Sequence, residues 1–255
     1  MEKISPEKTT ASTVEFLRNI FGKTGFSKAI VGVSGGVDSA VSTILTIKAL
    51  GKDTVFPILM PCGLLSTDST LDGMSFVQGL SVPMSNISRI DIKNSVDALS
   101  AQLGEVDNLR RGNLMARARM MVLFDQAKKR QALVVGTENR SEHLLGYFTR
   151  FGDEASDVEP IINLYKTQVY ELARYLGVSE KILSKAPSAG LWPEQTDEKE
   201  FGFTYKDADE IMYLLFDEKK SIDEIIASGI DGEVVKKVKF RIDSNAFKHN
   251  LPHKL

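Results

Sequence analysis

Four short runs of apolar and β-branched residues, separated by longer segments with helical spacing, constrain the fold of this chain most strongly. They cover residues 29–34, 54–60, 87–92 and 132–136. Runs of this length, bounded by polar residues or glycine, are typical of buried strands. Strands separated by helices are joined by right-handed crossovers, which place them in parallel with helices on both faces of the sheet. The sequence therefore predicts an α/β fold.

Helical spacing fills the segments between and after these runs. We predict helices over residues 38–50, 112–129, 167–176, 206–216, 221–227 and 232–240. Pro57 lies inside the second apolar run and weakens it as a central strand, because proline lacks the N–H group that a strand ladder needs. We expect a Rossmann-like, three-layer parallel sheet with a mainly helical C-terminal part, and a single domain over residues 1–255.

Bulk properties exclude several classes of protein. The 255 residues can bury one large core, and a formal net charge of −2 argues against a general nucleic-acid binder. No run approaches the roughly 18 apolar residues of a membrane span, and the N-terminus lacks the apolar run of a signal peptide. With Cys62 as its single cysteine, the chain forms no internal disulfide. We expect a cytoplasmic protein that binds neither nucleic acid nor membrane.

The segment Val33-Ser-Gly-Gly-Val-Asp-Ser39 lies between the first predicted strand and the first predicted helix. Gly35 and Gly36 allow backbone N–H groups to approach an anion closely, and the following helix directs its N-terminal N–H groups to the same place. Asp38 would repel a phosphate but is a suitable ligand for the Mg²⁺ that accompanies a polyphosphate. A plain strand–turn–helix corner capped by Asp38 or Ser39 is the alternative.

This string resembles the loop of the ATP-pyrophosphatase group, which holds the β,γ-pyrophosphate of ATP while the α-phosphorus is attacked. It differs from the Walker loop in both sequence and outcome. Gly22-Lys-Thr24 matches the end of a Walker motif, but Leu17 stands where that motif has its first glycine. We interpret Gly22–Thr24 as the end of a helix followed by a turn.

An ordered set of further segments selects one member of this group. It consists of residues 112–120, 136–142, 146–153, Asp157, 164–168 and 187–193. From about residue 12 to the C-terminus the chain resembles the NAD synthetase family in its ammonia-dependent, single-domain form. The resemblance implies a Rossmann-like homodimer that converts deamido-NAD, ATP and ammonia to NAD, AMP and pyrophosphate.

The resemblance also implies roles for individual residues. The implied ATP site consists of Gly32, Val33, Ser34, Gly35, Gly36, Val37, Asp38, Ser39, Thr137, Lys166 and Ser188. The implied deamido-NAD site consists of Arg117, Arg150, Asp157, Phe247 and Lys248. Asp38 and Glu142 would bind Mg²⁺, and Asp38 and Lys166 would be catalytic, because Mg²⁺ and Lys166 neutralise charge that develops on the phosphates. Arg150 and Phe247 stand where lysine and histidine are usual in the family.

Each of these residues has a simpler interpretation when it is taken alone. Arg117 and Arg119 are two positions apart on a helix, so they are expected to point to different faces, and either could be a surface charge. Glu142 could pair with Arg140 or with neighbouring lysines on a solvated face, and Lys166 could be an ordinary lysine of a first helical turn. Trp192 is either a core residue or part of a lid.

Other functions remain open at this stage. The chain could be a different enzyme of the group, such as the synthetase half of GMP synthetase, or a module that senses ATP without turnover. Glutamine-dependent members of the family carry an extra N-terminal amidase domain, for which the roughly 28 residues before the first strand are too few. Cys62 would need a positioned histidine as a base to act as a glutaminase nucleophile, and the sequence shows none. We therefore expect free ammonia as the nitrogen donor. The apolar helix positions around Met115 and Ala118 could pack in the core or across a dimer. Residues 84–86, 152–158 and 190–202 are predicted lids.

Overall fold

The computed structural model describes residues 1–249, apart from the side chain of Ser66. Within these residues the strands are β1 (Ala29–Gly32), β2 (Val55–Leu59), β3 (Ser88–Arg89) and β4 (Leu133–Val135). They pair in parallel in the order β3–β2–β1–β4, which confirms the predicted parallel sheet. The chain builds outward from β1 to β3 and then returns past β1 to β4. Ligands of such sheets bind where the order reverses, here at the carboxyl ends of β1 and β4.

Helices surround this sheet and form the C-terminal part of the described chain. They are α1 (Pro6–Thr24), α2 (Val37–Leu50), α3 (Thr67–Gly79), α4 (Lys93–Leu103), α5 (Asn108–Arg130), α6 (Arg140–Leu145), α7 (Lys166–Tyr175), α8 (Glu180–Leu183), α9 (Asp197–Phe201), α10 (Tyr205–Phe216), α11 (Ile222–Ala227) and α12 (Gly232–Asn245). No helix within residues 1–249 has both the length and the hydropathy that crossing a bilayer requires.

Both faces of β1 are covered because its side chains alternate between two apolar clusters. Ala29 and Val31 belong to a cluster with residues of α1, α2 and α7. Ile30 points the other way and packs with Phe56 and with Ala127 of α5. Successive side chains of a strand point to opposite faces, so a strand buried on both faces is apolar throughout.

A second apolar core holds the C-terminal helices together. It contains side chains of α6, α10, α11 and α12, including Leu145, Ile211, Ile225 and Val238, all of which are fully buried. Helix α10 also packs against α7, which belongs to the first core. The C-terminal helices are therefore joined to the sheet through α6 and α7, the two helices nearest the carboxyl end of β4.

The structure corrects two details of the predicted elements. Pro57 lies in β2, which is an interior strand, paired with Val31 of β1. The proline is tolerated because β3 begins opposite Ile58, so no strand adjoins that side of β2 at Pro57. Helix α12 continues to Asn245 rather than ending at Phe240. As predicted, the residues that resemble a Walker motif form the end of a helix, since α1 ends at Thr24.

Candidate active site

The loop between β1 and α2 is held in shape by its own hydroxyl groups and by one close backbone approach. Ser34 N donates to Ser39 Oγ at 3.3 Å, and Ser39 Oγ donates to Gly36 O at 3.0 Å. Gly35 has a φ of 81°, and a Cβ at this position would lie 2.2 Å from Ser69 O. Only glycine tolerates both this φ and this close approach, so any other residue at position 35 would change the turn.

No side chain caps the N-terminus of α2, whose N-cap residue is Gly36. The plain corner capped by Asp38 or Ser39 is therefore not what forms here. The first N–H groups of a helix have no partner within the helix, and the helix dipole adds partial positive charge at that end. The turn thus provides the anion-binding geometry that the sequence predicts.

Lys166 lies at the centre of a buried ionic cluster formed by three separate parts of the chain. Its side chain is only 3% exposed, and Nζ lies 2.6 Å from Asp38 Oδ2 and 2.9 Å from Glu142 Oε1. Asn139 Nδ2 donates to Asp38 Oδ1 at 2.9 Å and so orients that carboxylate. The simpler interpretations are wrong for both residues: Lys166 is not an exposed helix lysine, and Glu142 does not pair with Arg140, which instead pairs with Asp217.

The charges in this cluster depend on one another. Asp38 and Glu142 raise the pKa of Lys166 above its ordinary value against the opposing effect of burial, so the ammonium keeps its proton. Burial raises the pKa of Glu142, and attraction to Lys166 opposes that rise. Lys166 is the first residue of α7, where a cation is disfavoured by the helix dipole. The two carboxylates therefore offset two unfavourable effects on the ammonium, which are its burial and its place at the N-terminus of a helix.

The donor set of this cluster fits Mg²⁺ that is shared with a polyphosphate. Asp38 and Glu142 both lie within hydrogen-bond distance of the same ammonium, so their oxygens can reach one small cation. Residues 1–249 contain no group of three or more His, Cys, Asp or Glu side chains arranged to hold a metal. Mg²⁺ commonly takes one or two carboxylates from the protein and its other ligands from phosphates and water.

A cavity of about 820 Å³ opens at the carboxyl ends of β1 and β4 and contains nearly all the predicted site residues. The predicted residues that line it are Gly32, Val33, Ser34, Gly35, Gly36, Val37, Asp38, Ser39, Arg117, Thr137, Glu142, Arg150, Lys166, Ser188, Phe247 and Lys248. Asp157 is not among the residues that line it. Its backbone N–H and carboxylate bond to Val134 O and N, at 2.9 and 2.8 Å.

Arg117 and Arg119 both line this cavity, contrary to the expectation that one of them would lie on the surface. Their Nε atoms do point apart, as the helical spacing requires: Arg117 donates to Arg150 O and Arg119 to Met60 O, each at 3.2 Å. The cavity extends along both sides of this part of α5. The wall that α5 contributes to the cavity therefore carries two guanidinium groups.

The far end of the cavity is formed by the loop after α6 and by the residues that follow α12. The guanidinium of Arg150 lies over the ring of Phe247, 5.1 Å from its centroid. Lys248 Nζ donates to Gly146 O at 2.6 Å and to Phe148 O at 3.1 Å, and burial lowers its pKa. A cation and an aromatic ring in contact provide a surface suited to a flat, charged ligand.

Residues 187–197 form a strap that lines the cavity and is held together by Gln195. Gln195 is buried; its Oε1 accepts from Leu191 N at 2.7 Å, and its Nε2 donates to Glu200 Oε1 at 2.6 Å. Leu191 packs directly on α5, since a Cβ at Gly112 would lie 2.8 Å from it. Trp192 lines the cavity, so the structure assigns this residue to the strap rather than to the core.

The sequence did not single out several residues that support the ionic cluster. Asn139 orients Asp38, and the spacing of Asn139 and Glu142, a capping box at the start of α6, was a readable signal for it. Tyr205 lies beneath Lys166, with the ring centroid 5.2 Å from Nζ, and its hydroxyl donates to Asp197 Oδ2 at 3.0 Å. No local pattern distinguishes Tyr205 and Asp197, because they come from helices that meet the cavity only in the folded chain.

An acidic group lies beside the carboxyl end of β4. Glu159 accepts from Ser156 Oγ at 2.7 Å and from Glu138 N at 3.2 Å, and burial raises its pKa to about 8. Glu138 in turn contacts His143 Nδ1 at 3.3 Å, which raises the pKa of the imidazole. Cys62 is buried in an apolar cluster, and burial raises the pKa of its thiol, which disfavours the thiolate that a nucleophile needs.

Comparisons with known proteins agree with this geometry. The family model described as NAD synthase matches residues 9–252. The NH(3)-dependent NAD(+) synthetase of Fusobacterium nucleatum is 44% identical over 239 residues, 94% of this chain and 92% of that protein. Two solved structures share 31% identity: NMN synthetase from Francisella tularensis, with a TM-score of 0.87 and 99% of each chain covered, and NH3-dependent NAD synthetase from Campylobacter jejuni, with a TM-score of 0.84 and 99% and 100% covered.

Proposed function

The chain belongs to the NAD synthase family, and from this premise we propose that the cavity at the carboxyl ends of β1 and β4 is its active site. The chain is an ATP-dependent ligase that amidates deamido-NAD to NAD with ammonia, through an acyl-adenylate and with release of AMP and pyrophosphate. The observation that carries the site assignment is the Lys166 cluster, which lies beside the anion-binding turn in the same cavity.

The residues of the turn and of the cluster divide the first chemical step between them. The carboxylate of deamido-NAD is a weak nucleophile, and its attack on the α-phosphorus of ATP builds negative charge on the phosphates. The uncapped N-terminus of α2 and the hydroxyls of Ser34 and Ser39 bind the departing pyrophosphate. The ammonium of Lys166, held by two carboxylates, faces the developing charge. Preorganised charges of this kind need not reorient during the reaction.

Mg²⁺ is the proposed metal of this site, with Asp38 and Glu142 as its protein ligands. When bound, it would neutralise charge on the phosphates of ATP. The carboxylates of Asp38 and Glu142 would hold the metal, and the ammonium of Lys166 would add positive charge beside the phosphates. Thr137 and Ser188, which line the same cavity, complete the proposed ATP site.

The acceptor end of the cavity is proposed to hold deamido-NAD. Arg117 and Arg150 supply positive charge for its phosphates, and Phe247 supplies an aromatic surface. Lys248 stabilises this end by donating hydrogen bonds to Gly146 O and Phe148 O. Asp157, which lies outside the lining of the cavity, remains a predicted contact. Arg119 is an additional candidate, because it faces the same cavity from α5.

We further propose that the chain acts as a homodimer and that residues 1–255 form one domain. Met115 and Ala118 of α5 are buried in the core, whereas Leu109 and Met121 on the same helix are 62% and 58% exposed. Exposed apolar side chains of this size support an interface along α5. Light scattering measures the assembly, and a monomeric mass at micromolar concentration would contradict it. A single cooperative unfolding transition is expected for one domain.

The experiment that tests the proposed function measures AMP and NAD from ATP, ammonium and Mg²⁺ with alternative acceptors. Deamido-NAD should yield both products in equal amounts, and Asp38→Ala should abolish both. Xanthosine monophosphate and a reaction without acceptor serve as controls for other enzymes of the group. If ATP is bound and no AMP forms with any acceptor, the proposal is wrong and the site senses ATP.

A second acceptor is included because of one specific similarity. The chain resembles an NMN synthetase structure with a TM-score of 0.87. Nicotinate mononucleotide carries the same carboxylate as deamido-NAD and lacks the adenylate half. Comparison of kcat/KM for the two acceptors determines whether contacts to the adenylate half contribute to specificity. A higher kcat/KM for the mononucleotide would reassign the substrate while leaving the adenylation chemistry unchanged.

A further inference from the structure

Asp209 is a fully buried carboxylate outside the predicted site that contacts the starts of two catalytic helices. It lies on α10, and its side chain is 0% exposed. Its Oδ1 accepts a hydrogen bond from Ser141 Oγ at 2.5 Å, and its Oδ2 accepts from Thr167 N at 2.8 Å and from Thr167 Oγ1 at 2.7 Å. Three donors from two helices thus converge on one carboxylate.

These donors are the immediate neighbours of the residues in the ionic cluster. Ser141 precedes Glu142 on α6, and Thr167 follows Lys166 on α7. Ser141 Oγ also accepts from the backbone N–H of Lys166 at 2.8 Å, so the two helix starts are linked directly as well. Any displacement of Asp209 would therefore move Lys166 relative to Glu142.

The first two N–H groups of helix α7 find their partners outside the helix. Within α7, the side chain of Gln168 accepts from the N–H of the N-cap residue, Tyr165, at 3.0 Å, and so does not serve the N–H groups of Lys166 and Thr167. The N–H groups of Lys166 and Thr167 are instead capped by Ser141 and Asp209. Buried backbone N–H groups without a partner are strongly disfavoured, so these contacts determine where α7 begins. Because Lys166 is the first residue of that helix, the same contacts fix the backbone position from which its side chain extends.

We propose that Asp209 is a positioning residue for amide formation: it holds the starts of α6 and α7 together and thereby sets the Lys166 ammonium against Glu142. This inference rests on the proposed function, in which Lys166 acts on the phosphates of ATP. Asp209 is not among the residues that line the cavity. The negative charge of Asp209 also faces the N-terminus of α7, where it counteracts the unfavourable placement of a lysine at the positive end of the helix dipole.

The main test compares Asp209→Asn with Glu210→Gln, which makes the same chemical change on an exposed neighbour in α10. An asparagine fills the same space but directs an NH₂ group at donors that need an acceptor. We expect kcat for NAD formation to fall by about 10- to 100-fold in Asp209→Asn, because small displacements of a catalytic group have effects of that size. The KM values for ATP and deamido-NAD should change by less than about threefold. Glu210→Gln should match the unmodified chain.

A second pair of variants keeps the test valid if Asp209→Asn folds poorly. Thr167→Val retains the shape of the side chain and removes the hydroxyl that donates to Asp209, whereas Thr167→Ser retains the hydroxyl. We expect kcat to fall in Thr167→Val by about 3- to 10-fold, the effect of one lost hydrogen bond. In Thr167→Ser, kcat should be recovered. A purely structural role would lower the folded fraction of Thr167→Val and leave kcat per folded molecule unchanged.

A readout independent of turnover separates this inference from the proposed function. The carbon-13 resonance of Lys166 Cε, assigned with Lys166→Arg, should shift in Asp209→Asn and stay unchanged in Glu210→Gln. If the unmodified chain makes no NAD but this shift is observed, the proposed function fails and the structural part of the inference stands, namely that Asp209 sets Lys166 against Glu142. An unmoved resonance, an unchanged kcat, or a loss of kcat fully explained by a smaller folded fraction would each overturn the positioning role.

Discussion

The two ends of the cavity are built in different ways. At the proposed phosphate end, around Lys166, the charged groups are buried and held by several contacts each: Lys166 is 3% exposed and meets two carboxylates. At the proposed acceptor end, Phe247 is 49% exposed, with the guanidinium of Arg150 over its ring. The charged groups of the phosphate end are therefore fixed by their contacts with one another, whereas the aromatic ring of the acceptor end is half exposed.

This difference follows from what each end must do. Charge that develops in a transition state is stabilised best by groups that need no rearrangement, and burial strengthens their interaction. Recognition of a large dinucleotide requires a surface that can admit and release it. We therefore expect changes at the phosphate end to reduce kcat, and changes at the acceptor end to raise KM.

The largest effect is expected from Lys166→Met, which removes the ammonium and keeps the length of the side chain. The kcat for NAD formation should fall by about 10²- to 10³-fold, the range found when one preorganised charge-stabilising group is lost. Isotope exchange between pyrophosphate and ATP measures the adenylation step directly and should fall by the same factor. Equal KM values and an unchanged exchange rate would contradict the assignment of Lys166 to this step.

A backbone change at the phosphate end should have the next largest effect. Gly35→Ala places a Cβ 2.2 Å from Ser69 O at a φ of 81°, so the turn must open. We expect a loss of about 2–3 kcal/mol in the free energy of unfolding, together with weaker ATP binding by calorimetry. Gly22→Ala is the control: it lies inside α1 with no atom near the added Cβ, and it should leave stability equal or higher.

At the acceptor end, Phe247→Ala should raise the KM for deamido-NAD by about tenfold with little change in kcat. The guanidinium of Arg150 lies over the aromatic ring, which lines the cavity, so we expect removal of the ring to affect binding more than chemistry. Phe240→Ala, which removes an exposed ring from α12, controls for loss of an aromatic residue. A fall in kcat without a change in KM would show that this end takes part in the chemical step.

The smallest effect concerns Glu159, whose carboxylate lies against Gly136, the residue after β4. Its pKa in the folded chain is about 8, above the ordinary value of 4.5, because of burial. Between these two pH values the folded chain keeps a proton that the unfolded chain has released, so stability falls as pH rises. We expect a slope of less than about 1.4 kcal/mol per pH unit. Glu159→Gln should flatten it, and Glu210→Gln should not.

Local patterns predicted the parts of this protein that depend on neighbouring residues. Alternating apolar runs and helical segments predicted the parallel sheet, and the string from Val33 to Ser39 predicted the anion-binding turn. The ordered segments predicted the family. The same reasoning misjudged Pro57 as unsuitable for an interior strand, because whether β2 needs a partner at that position depends on where β3 begins.

The burial and pairing of Lys166 could not be predicted from the sequence. Lys166 and Asp38 are 128 positions apart, and Glu142 lies on a third element, so no spacing relates them. Asp209 is less predictable still, since an aspartate in the middle of a helix is usually a surface residue. Their chemistry depends on which helices meet at the carboxyl ends of β1 and β4. The sequence by itself determined the elements, the turn and the reaction, whereas only the tertiary structure decided which charges are buried together, because burial and distance are properties of packing and not of local order along the chain.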